Sequence, residues 1–324
     1  MRCPKNIVMM TGFLLFVGIQ PSHAQMGSSP DLRLSVVGVG TQNYADSLNF
    51  YTKVMGLRPA FSFSPNGKTT FTYLQMSKDT FLELQENPTN PPGLTHIHMQ
   101  TRDADAIIAR LRKAGVATCS EAVKASCTID SRIAGPTKEK NAVIVDPNGI
   151  HIEPTEFTPG SLTKNAFDTW DSTAVPTKAD ATRLMVVGIA VKDYAESEAF
   201  YEKSVGFPVA FKFTSPDGQR TTKYYQISRD SFLEMQPATQ AMPVGLSHVH
   251  IVTGDLNAMI ARLHQAGLAS AARTATTPNT LTEPGLTQPS NVKSANVFDP
   301  NGIRLELNEL LPESLTKKAM DSWK

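Results

Sequence analysis

The side chains best suited to chemistry come in two short pairs. His96-Ile97-His98 and His248-Val249-His250 both read His-x-His inside apolar runs. In an extended strand, residues i and i+2 project from one face, about 6.5–7 Å apart along the chain. Two imidazoles at that spacing can converge on one divalent ion, contact one substrate, or hydrogen-bond within a core; the spacing leaves all three open. Two acids share this setting. Glu83 lies in Phe81-Leu82-Glu83-Leu84 and Glu234 in Phe232-Leu233-Glu234. A carboxylate in an apolar strand is costly unless paired, so each requires a partner, either a metal or a histidine.

These groups recur because the chain is one unit written twice. Gly93–Ala117 and Gly245–Ala269 align without a gap and share 14 of 25 residues. Val36-Val37-Gly38-Val39 returns as Val186-Val187-Gly188-Ile189, and Asp146-Pro147-Asn148-Gly149-Ile150 as Asp299-Pro300-Asn301-Gly302-Ile303. Ser161-Leu162-Thr163-Lys164 with Trp170 returns as Ser314-Leu315-Thr316-Lys317 with Trp323. A repeat this long is a duplicated domain. The boundaries read as residues 31–170 and 183–324, with 171–182 (DSTAVPTKADAT) as a small, polar, proline-bearing linker.

Within each unit the apolar pattern predicts strand, helix, then three strands, twice over. Leu34–Val39 is a strand and Tyr44–Met55 a helix stopped by Gly56. Ala60–Phe63, Thr69–Met76 and Thr80–Leu84 follow as strands, with Pro65-Asn66-Gly67 as a turn. Thr95–Gln100 restarts the pattern. Asp103 caps a helix carrying Ile107, Ile108 and Leu111 on one face and stopping at Gly115. Ala142–Val145 and Ile150–Thr155 form a hairpin around Pro147-Asn148-Gly149. The expected class is α+β, with curved sheets and helices on their outer faces. The Phe50-Tyr51 and Phe200-Tyr201 pairs read as helix core, and Asp146 and Asp299 as turn formers. Tyr73, Tyr224 and Tyr225 are within reach of a concave face. The stretches 118–140 and 270–294 read as long loops in place of regular strands, and as lids over the sites.

Composition narrows the function. Hydrophobic residues are 40% and charged residues 19%, enough for packed cores. The formal charge is +1 with no polybasic block, which argues against a nucleic-acid partner. Arg2 and Lys5, the apolar run Ile7–Ile19 and the small residues Ser22 and Ala24 have the layout of a secretory signal, so residues 1–24 read as an export address. The expected location is secreted or periplasmic, with no membrane span once the signal is removed. Cys119 and Cys127 are then the only cysteines, free or paired. No nucleotide cofactor is expected, and the oligomeric state stays open.

Five marks, present in both halves, resemble the vicinal oxygen chelate superfamily, which includes glyoxalases, extradiol dioxygenases and bleomycin-binding proteins. They are Val37-Gly38-Val39 leading to Asn49-Phe50-Tyr51; Met55-Gly56-Leu57; Phe81-Leu82-Glu83-Leu84; Gly93-Leu94-Thr95-His96-Ile97; and Asp146-Pro147-Asn148-Gly149 leading to Glu153. The resemblance implies tandem glyoxalase-like domains, each of two βαβββ modules that form a cup. It implies ligands on four strands. The first-strand histidine is replaced by Val36 and Val186. The other three positions hold Glu83 and Glu234, His96 and His248, and Glu153 and Glu306. His98 and His250 then become replacements for the lost first-strand ligand. His151 shares a face with Glu153, but its counterpart is Arg304.

A histidine and two carboxylates suit a first-row divalent ion, which polarises substrate oxygens, and Glu83 and Glu234 are ligands or proton-transferring bases. The resulting expectation is an exported, metal-dependent small-molecule enzyme of glyoxalase or dioxygenase type, as lyase, isomerase or oxygenase. Glutathione as a cosubstrate is not expected outside the cytosol. A metal-free small-molecule binder and a scaffold with vestigial cups are the alternatives.

Overall fold

The computed structural model describes residues 31–323, apart from 65–66, 68–69, 117–130, 175–176, 178–179, 216–217, 219 and 275. Residues 1–24, read above as an export address, Cys119 and Cys127, and most of the Pro65-Asn66-Gly67 turn therefore lie outside the described residues. No helix among the described residues is long and apolar enough to cross a membrane.

The first half holds β1 (Arg33–Thr41), β2 (Arg58–Phe63), β3 (Phe71–Ser77), β4 (Thr80–Glu86), β5 (Gly93–Gln100), β6 (Arg132–Ile133), β7 (Lys140–Asn141), β8 (Ile144–Val145) and β9 (His151–Glu156). The second holds β10 (Arg183–Val191), β11 (Val209–Thr214), β12 (Thr221–Ser228), β13 (Ser231–Pro237), β14 (Gly245–Val252), β15 (Ala269–Ala271), β16 (Thr280–Thr282), β17 (Gly285–Thr287), β18 (Val292–Phe298) and β19 (Arg304–Leu310). The helices are α1 (Tyr44–Asn49), α2 (Ala104–Lys113), α3 (Leu162–Asp168), α4 (Tyr194–Glu198), α5 (Leu256–Gln265) and α6 (Leu315–Ser322).

Each half forms its own curled mixed sheet. The first runs β2-β3-β4-β1-β5-β9-β7-β6 and the second β11-β12-β13-β10-β14-β19-β18-β16-β15. In the centre of each, β1 and β10 lie parallel to β4 and β13 and antiparallel to β5 and β14. The βαβββ order predicted from the apolar pattern is found in the first module of each half; in the second module four strands, β6–β9, follow α2 and five, β15–β19, follow α5, and the strand expected at Ala142–Val145 is confined to Ile144–Val145. The helix after β1 differs in detail: α1 passes at Phe50 into a π-helical turn, Phe50–Val54, and the second half does the same at Ala199–Val205. Asp103 and Asp255 cap α2 and α5 by accepting from Ala106 N and Ala258 N. Residues 270–294 depart from expectation: they contain β15, β16 and β17, which extend the second sheet. Strands of three residues are too short to leave an alternating apolar signature.

Sheet pleating divides the side chains. Leu34, Val37 and Val39 face outward into a core that also takes Tyr51, Ile107 and Leu111 from the helices. That core continues into Leu184, Val187 and Tyr201 of the other half, so the outer faces of the sheets share one apolar interior. Val36 points the opposite way and packs in the concave face with Tyr73, Phe81, Phe157 and Ala166. Ala166 belongs to α3, whose carbonyl accepts from Gln75; Ala319 of α6 accepts from Gln226 in the same way. The repeated C-terminal segment of each half thus helps to close the concave face.

The halves meet through reciprocal polar contacts. Tyr51 donates its hydroxyl to Asp299 (3.1 Å), and Tyr201 donates to Asp146 (2.9 Å). Tyr51 and Tyr201 are helix core, as expected, and also bridge the domains. Asp146 and Asp299 form the expected turns, accepting from the backbone of Ile150 and Ile303 at 2.8 Å, while their second oxygens receive these tyrosines. Arg33 and Arg183 each pair with both Asp79 and Asp230. Such reciprocity is what a two-fold-like contact between repeated units requires.

Candidate metal centres

The site strands lie side by side as β4, β1, β5 and β9. Register places Glu83 beside Gly38 and His98 between Val36 and Glu153. Gly38 is the position at which the strands permit the site to form. The His96 ring lies directly over it, and a Cβ there would stand 2.3 Å from two ring atoms. His248 covers Gly188 in the same way, also at 2.3 Å.

Over that hollow three donor atoms converge. His96 Nε2 and His98 Nε2 are 3.0 Å apart, and Glu83 Oε2 is 3.4 Å from the first and 3.7 Å from the second. A point about 2 Å from all three exists at the centre of this triangle, the length of a metal–nitrogen or metal–oxygen bond. The second cup repeats it, with His248 and His250 Nε2 2.9 Å apart and Glu234 Oε2 at 3.5 and 3.2 Å. Both trios are buried. Glu153 stands beside the first, 3.6 Å from His98, and Glu306 beside the second, 3.9 Å from His250. All eight site residues expected from sequence therefore face the two cups. Glu83 and Glu234 each lie within 3.2–3.7 Å of both imidazoles of their cup, whereas Glu153 and Glu306 approach only His98 and His250.

The surrounding side chains fix the donors. Thr95 Oγ1 lies 2.8 Å from His96 Nδ1, and Ser247 Oγ 2.8 Å from His248 Nδ1. Asn308 donates Nδ2 to Glu306 and turns its Oδ1 to His250 Nδ1 at 2.8 Å. An amide oxygen only accepts, so His250 carries its proton on Nδ1 and presents the Nε2 lone pair to the cup. Gln85 and Gln236 donate to Glu83 and Glu234 at 2.8 and 3.2 Å. Tyr224 donates to Glu234 at 2.6 Å, and Tyr73 to Glu83. Asn141 donates to Glu153 at 2.8 Å. Tyr225, by contrast, does not reach the cup: it packs in the outer core and donates to Glu202.

The comparisons with known proteins agree with this architecture. The sequence profile of the Glyoxalase/Bleomycin resistance protein/Dioxygenase superfamily matches residues 33–153 and 183–307. The chain belongs to this superfamily. No curated protein sequence matches the chain. Among solved structures, the Mn(II)-bound glyoxalase from Novosphingobium aromaticivorans superposes with a TM-score of 0.62 at 16% identity, over 87% of this chain and 83% of that one. Homoprotocatechuate 2,3-dioxygenase from Arthrobacter globiformis gives 0.61 at 18% identity, over 87% and 80%. A halotolerant catechol dioxygenase gives 0.59 at 16% identity, over 87% and 88%. At these identities the likeness is one of fold.

This superfamily member carries strongly coupled charges in each cup. Burial works to raise Glu83, but the imidazoles of His96 and His98 outweigh it and hold the carboxyl at about 2. Burial likewise opposes protonation of His96, yet the Glu83 carboxylate outweighs it and lifts the imidazole to about 9. In the second cup burial and then Arg304 push His248 down, while Glu306 and Glu234 outweigh burial and raise His250.

The first cup also holds a carboxyl that sequence reading missed. Glu139 lies in the charged run Lys138-Glu139-Lys140 at the end of the 118–140 stretch, which the sequence reads as a covering loop without singling out this residue. It is buried, accepts from Thr163 at 2.6 Å, and is pushed up by that burial. It helps to line a cavity of about 500 Å³ with Phe63, Tyr73, Glu83, His98 and Glu153. Ala134, Pro136 and Thr137 line the same cavity, so the described end of the 118–140 segment borders the cup.

Proposed function

We propose that the protein is a divalent-metal-dependent enzyme that acts on a small molecule presenting two neighbouring oxygens, with one metal centre in each cup. One observation carries this reading: two imidazole Nε2 atoms held about 3 Å apart beside a single carboxylate oxygen, in both halves. Lone pairs aimed at each other and at an anion repel unless a cation or proton lies between them. Two imidazoles and a carboxylate are also a donor set that first-row divalent ions favour.

Glu83, His96 and His98 would hold the ion in the first cup, and Glu234, His248 and His250 in the second. Such an ion supplies Lewis-acid polarisation of substrate oxygens. The protein's own groups do the rest. Tyr73 with Gln85, and Tyr224 with Gln236, fix the orientation of the ligand carboxylates. Glu153 and Glu306 are less buried than Glu83 and Glu234. They stand beside the trio, either completing the ligand set or taking and returning a proton at the substrate. Phe63, Phe71 and Tyr73 give the first cup an apolar wall. The donor set serves a lyase, an isomerase or an oxygenase alike. Residues 1–24 support an enzyme that works in a secreted or periplasmic setting, which N-terminal sequencing of exported protein would test.

The aromatic wall is also what a metal-free binder would present. Metal analysis after repletion separates the two readings. Two ions per chain, falling to one in His96→Ala and in His248→Ala and to none in the double variant, support the enzyme. A folded wild-type protein that takes up no divalent ion overturns it.

A further inference from the structure

The two cups are near copies, yet one lining position differs in charge. His151 and Arg304 occupy equivalent places: each sits two residues before the cup glutamate of its strand, and they pair with Val145 and Phe298 of the neighbouring strands. Residues i and i+2 of a strand share a face, so Arg304 lies on the same side of β19 as Glu306. Its guanidinium makes no hydrogen bond or ion pair among the described residues and is neither fully buried nor fully exposed. It also borders a cavity of about 410 Å³ beside the cup, shared with Ser247 but not with Glu234, His248, His250 or Glu306. A second difference points the same way. Register aligns buried Glu139 of the first cup with Val292 of the second, because Lys140 and Lys293 take equivalent places beside Glu156 and Glu309. The first cup therefore has an extra carboxyl group, and the second an extra cation.

We propose that the two cups select ligands of different charge, and that Arg304 makes the second cup the one that takes a carboxylate-bearing oxygen ligand. The inference rests on the metal reading above and names the substrate class for one of its two sites. Arg304 is about 7 Å along the strand from Glu306, so a ligand whose paired oxygens meet the ion can extend a carboxylate to the guanidinium. The planar guanidinium matches a carboxylate with two parallel hydrogen bonds. In the first cup the imidazole of His151 and the carboxyl of Glu139 offer no such fixed positive charge.

The test uses the metal-loaded, full-length protein with catechol and 3,4-dihydroxybenzoate as probes, bound without oxygen and followed by calorimetry. His96→Ala leaves the second cup loaded, and His248→Ala leaves the first. The second cup should bind the carboxylated probe about tenfold or more tighter than catechol. The first cup should show no preference for it. Arg304→Gln in the His96→Ala background should remove the preference, and Arg304→Lys should restore part of it. A preference that survives Arg304→Gln, or one equal in both cups, overturns the proposal while leaving the metal reading intact. Protein that holds no metal by elemental analysis overturns both.

Discussion

Replacing Gly38 with alanine should cost the first cup its metal and leave the second loaded. The added Cβ would stand 2.3 Å from Cε1 and Nδ1 of His96 and 2.4 Å from Thr95 Oγ1. Carbon contacts settle near 3.5 Å, so the ring must retreat by about 1 Å. The backbone cannot make that adjustment, because β5 is hydrogen-bonded between β1 and β9. Metal bonds tolerate about 0.2 Å of error, so His96 ceases to be a ligand. Overpacking costs about 1–3 kcal/mol, which a domain with about 5–15 kcal/mol of stability survives. The assay is metal content per chain with a chelator competition, alongside a melting curve. One ion should remain, and affinity at the first cup should fall by more than the 10–100-fold typical of a lost supporting contact. Gly40→Ala is the control, since its Cβ would meet the Thr95 methyl at 3.1 Å and Asn87 at 3.7 and 3.8 Å but no histidine, and it should keep both ions. A folded Gly38→Ala protein with two ions at undiminished affinity would refute the reasoning, and Gly188→Ala should mirror the result in the second cup.

Metal uptake by the first cup should release a proton below pH 9, because Glu83 outweighs burial and lifts free His96 to about 9. Affinity measured in His248→Ala should therefore climb about tenfold per pH unit from 7 to 9 and then level off; a flat profile contradicts this. In metal-free protein the same raised imidazole contributes stability that is complete below its ordinary 6.5 and is lost as pH rises through 9. The metal-free melting temperature should accordingly fall across that window. Tyr51→Phe and Tyr201→Phe should each lower stability by about 1–3 kcal/mol in urea denaturation, since each strips a hydrogen bond from a buried aspartate; metal content should not change. Asn308→Ala should weaken metal binding in the second cup by about 10–100-fold and leave the first unaffected, because it releases the His250 tautomer.

What the sequence reveals about this molecule depends on how local each cause is. The α2 and α5 helices are legible because Asp103 and Asp255 cap them and their apolar spacing lies within one stretch. The shared face of His96 and His98 is legible because strand geometry alone sets it. The bridge from Tyr51 to Asp299 is not, since both residues already have a local role, one in a helix and one in a turn, and their partnership spans 248 positions. Gly38 belongs to a visible motif, but its purpose emerges only once His96 lies across it. Glu139 gives no signal at all: its neighbours Lys138 and Lys140 announce solvent, and only the fold turns it inward.

The absence of a first-strand histidine reads, in sequence, as the loss of a ligand. Val36 and His98 are direct partners across β1 and β5, as are Val186 and His250, so the missing imidazole and the extra one are neighbours on the same face. Paired strands lie about 4.7–4.9 Å apart, a step that an imidazole can cover by leaning. Leaning is what the rings do, because Cα positions about 7 Å apart end in Nε2 atoms 3.0 and 2.9 Å apart. Hydroxyl or amide groups hold each Nδ1 in place, so the inward tilt is built rather than incidental. Two buried rings brought that close around a carboxylate gain from a shared positive charge and from little else. Under the metal reading proposed above, the valines would mark a ligand moved one strand over, with His98 and His250 supplying the nitrogen that each first strand lacks.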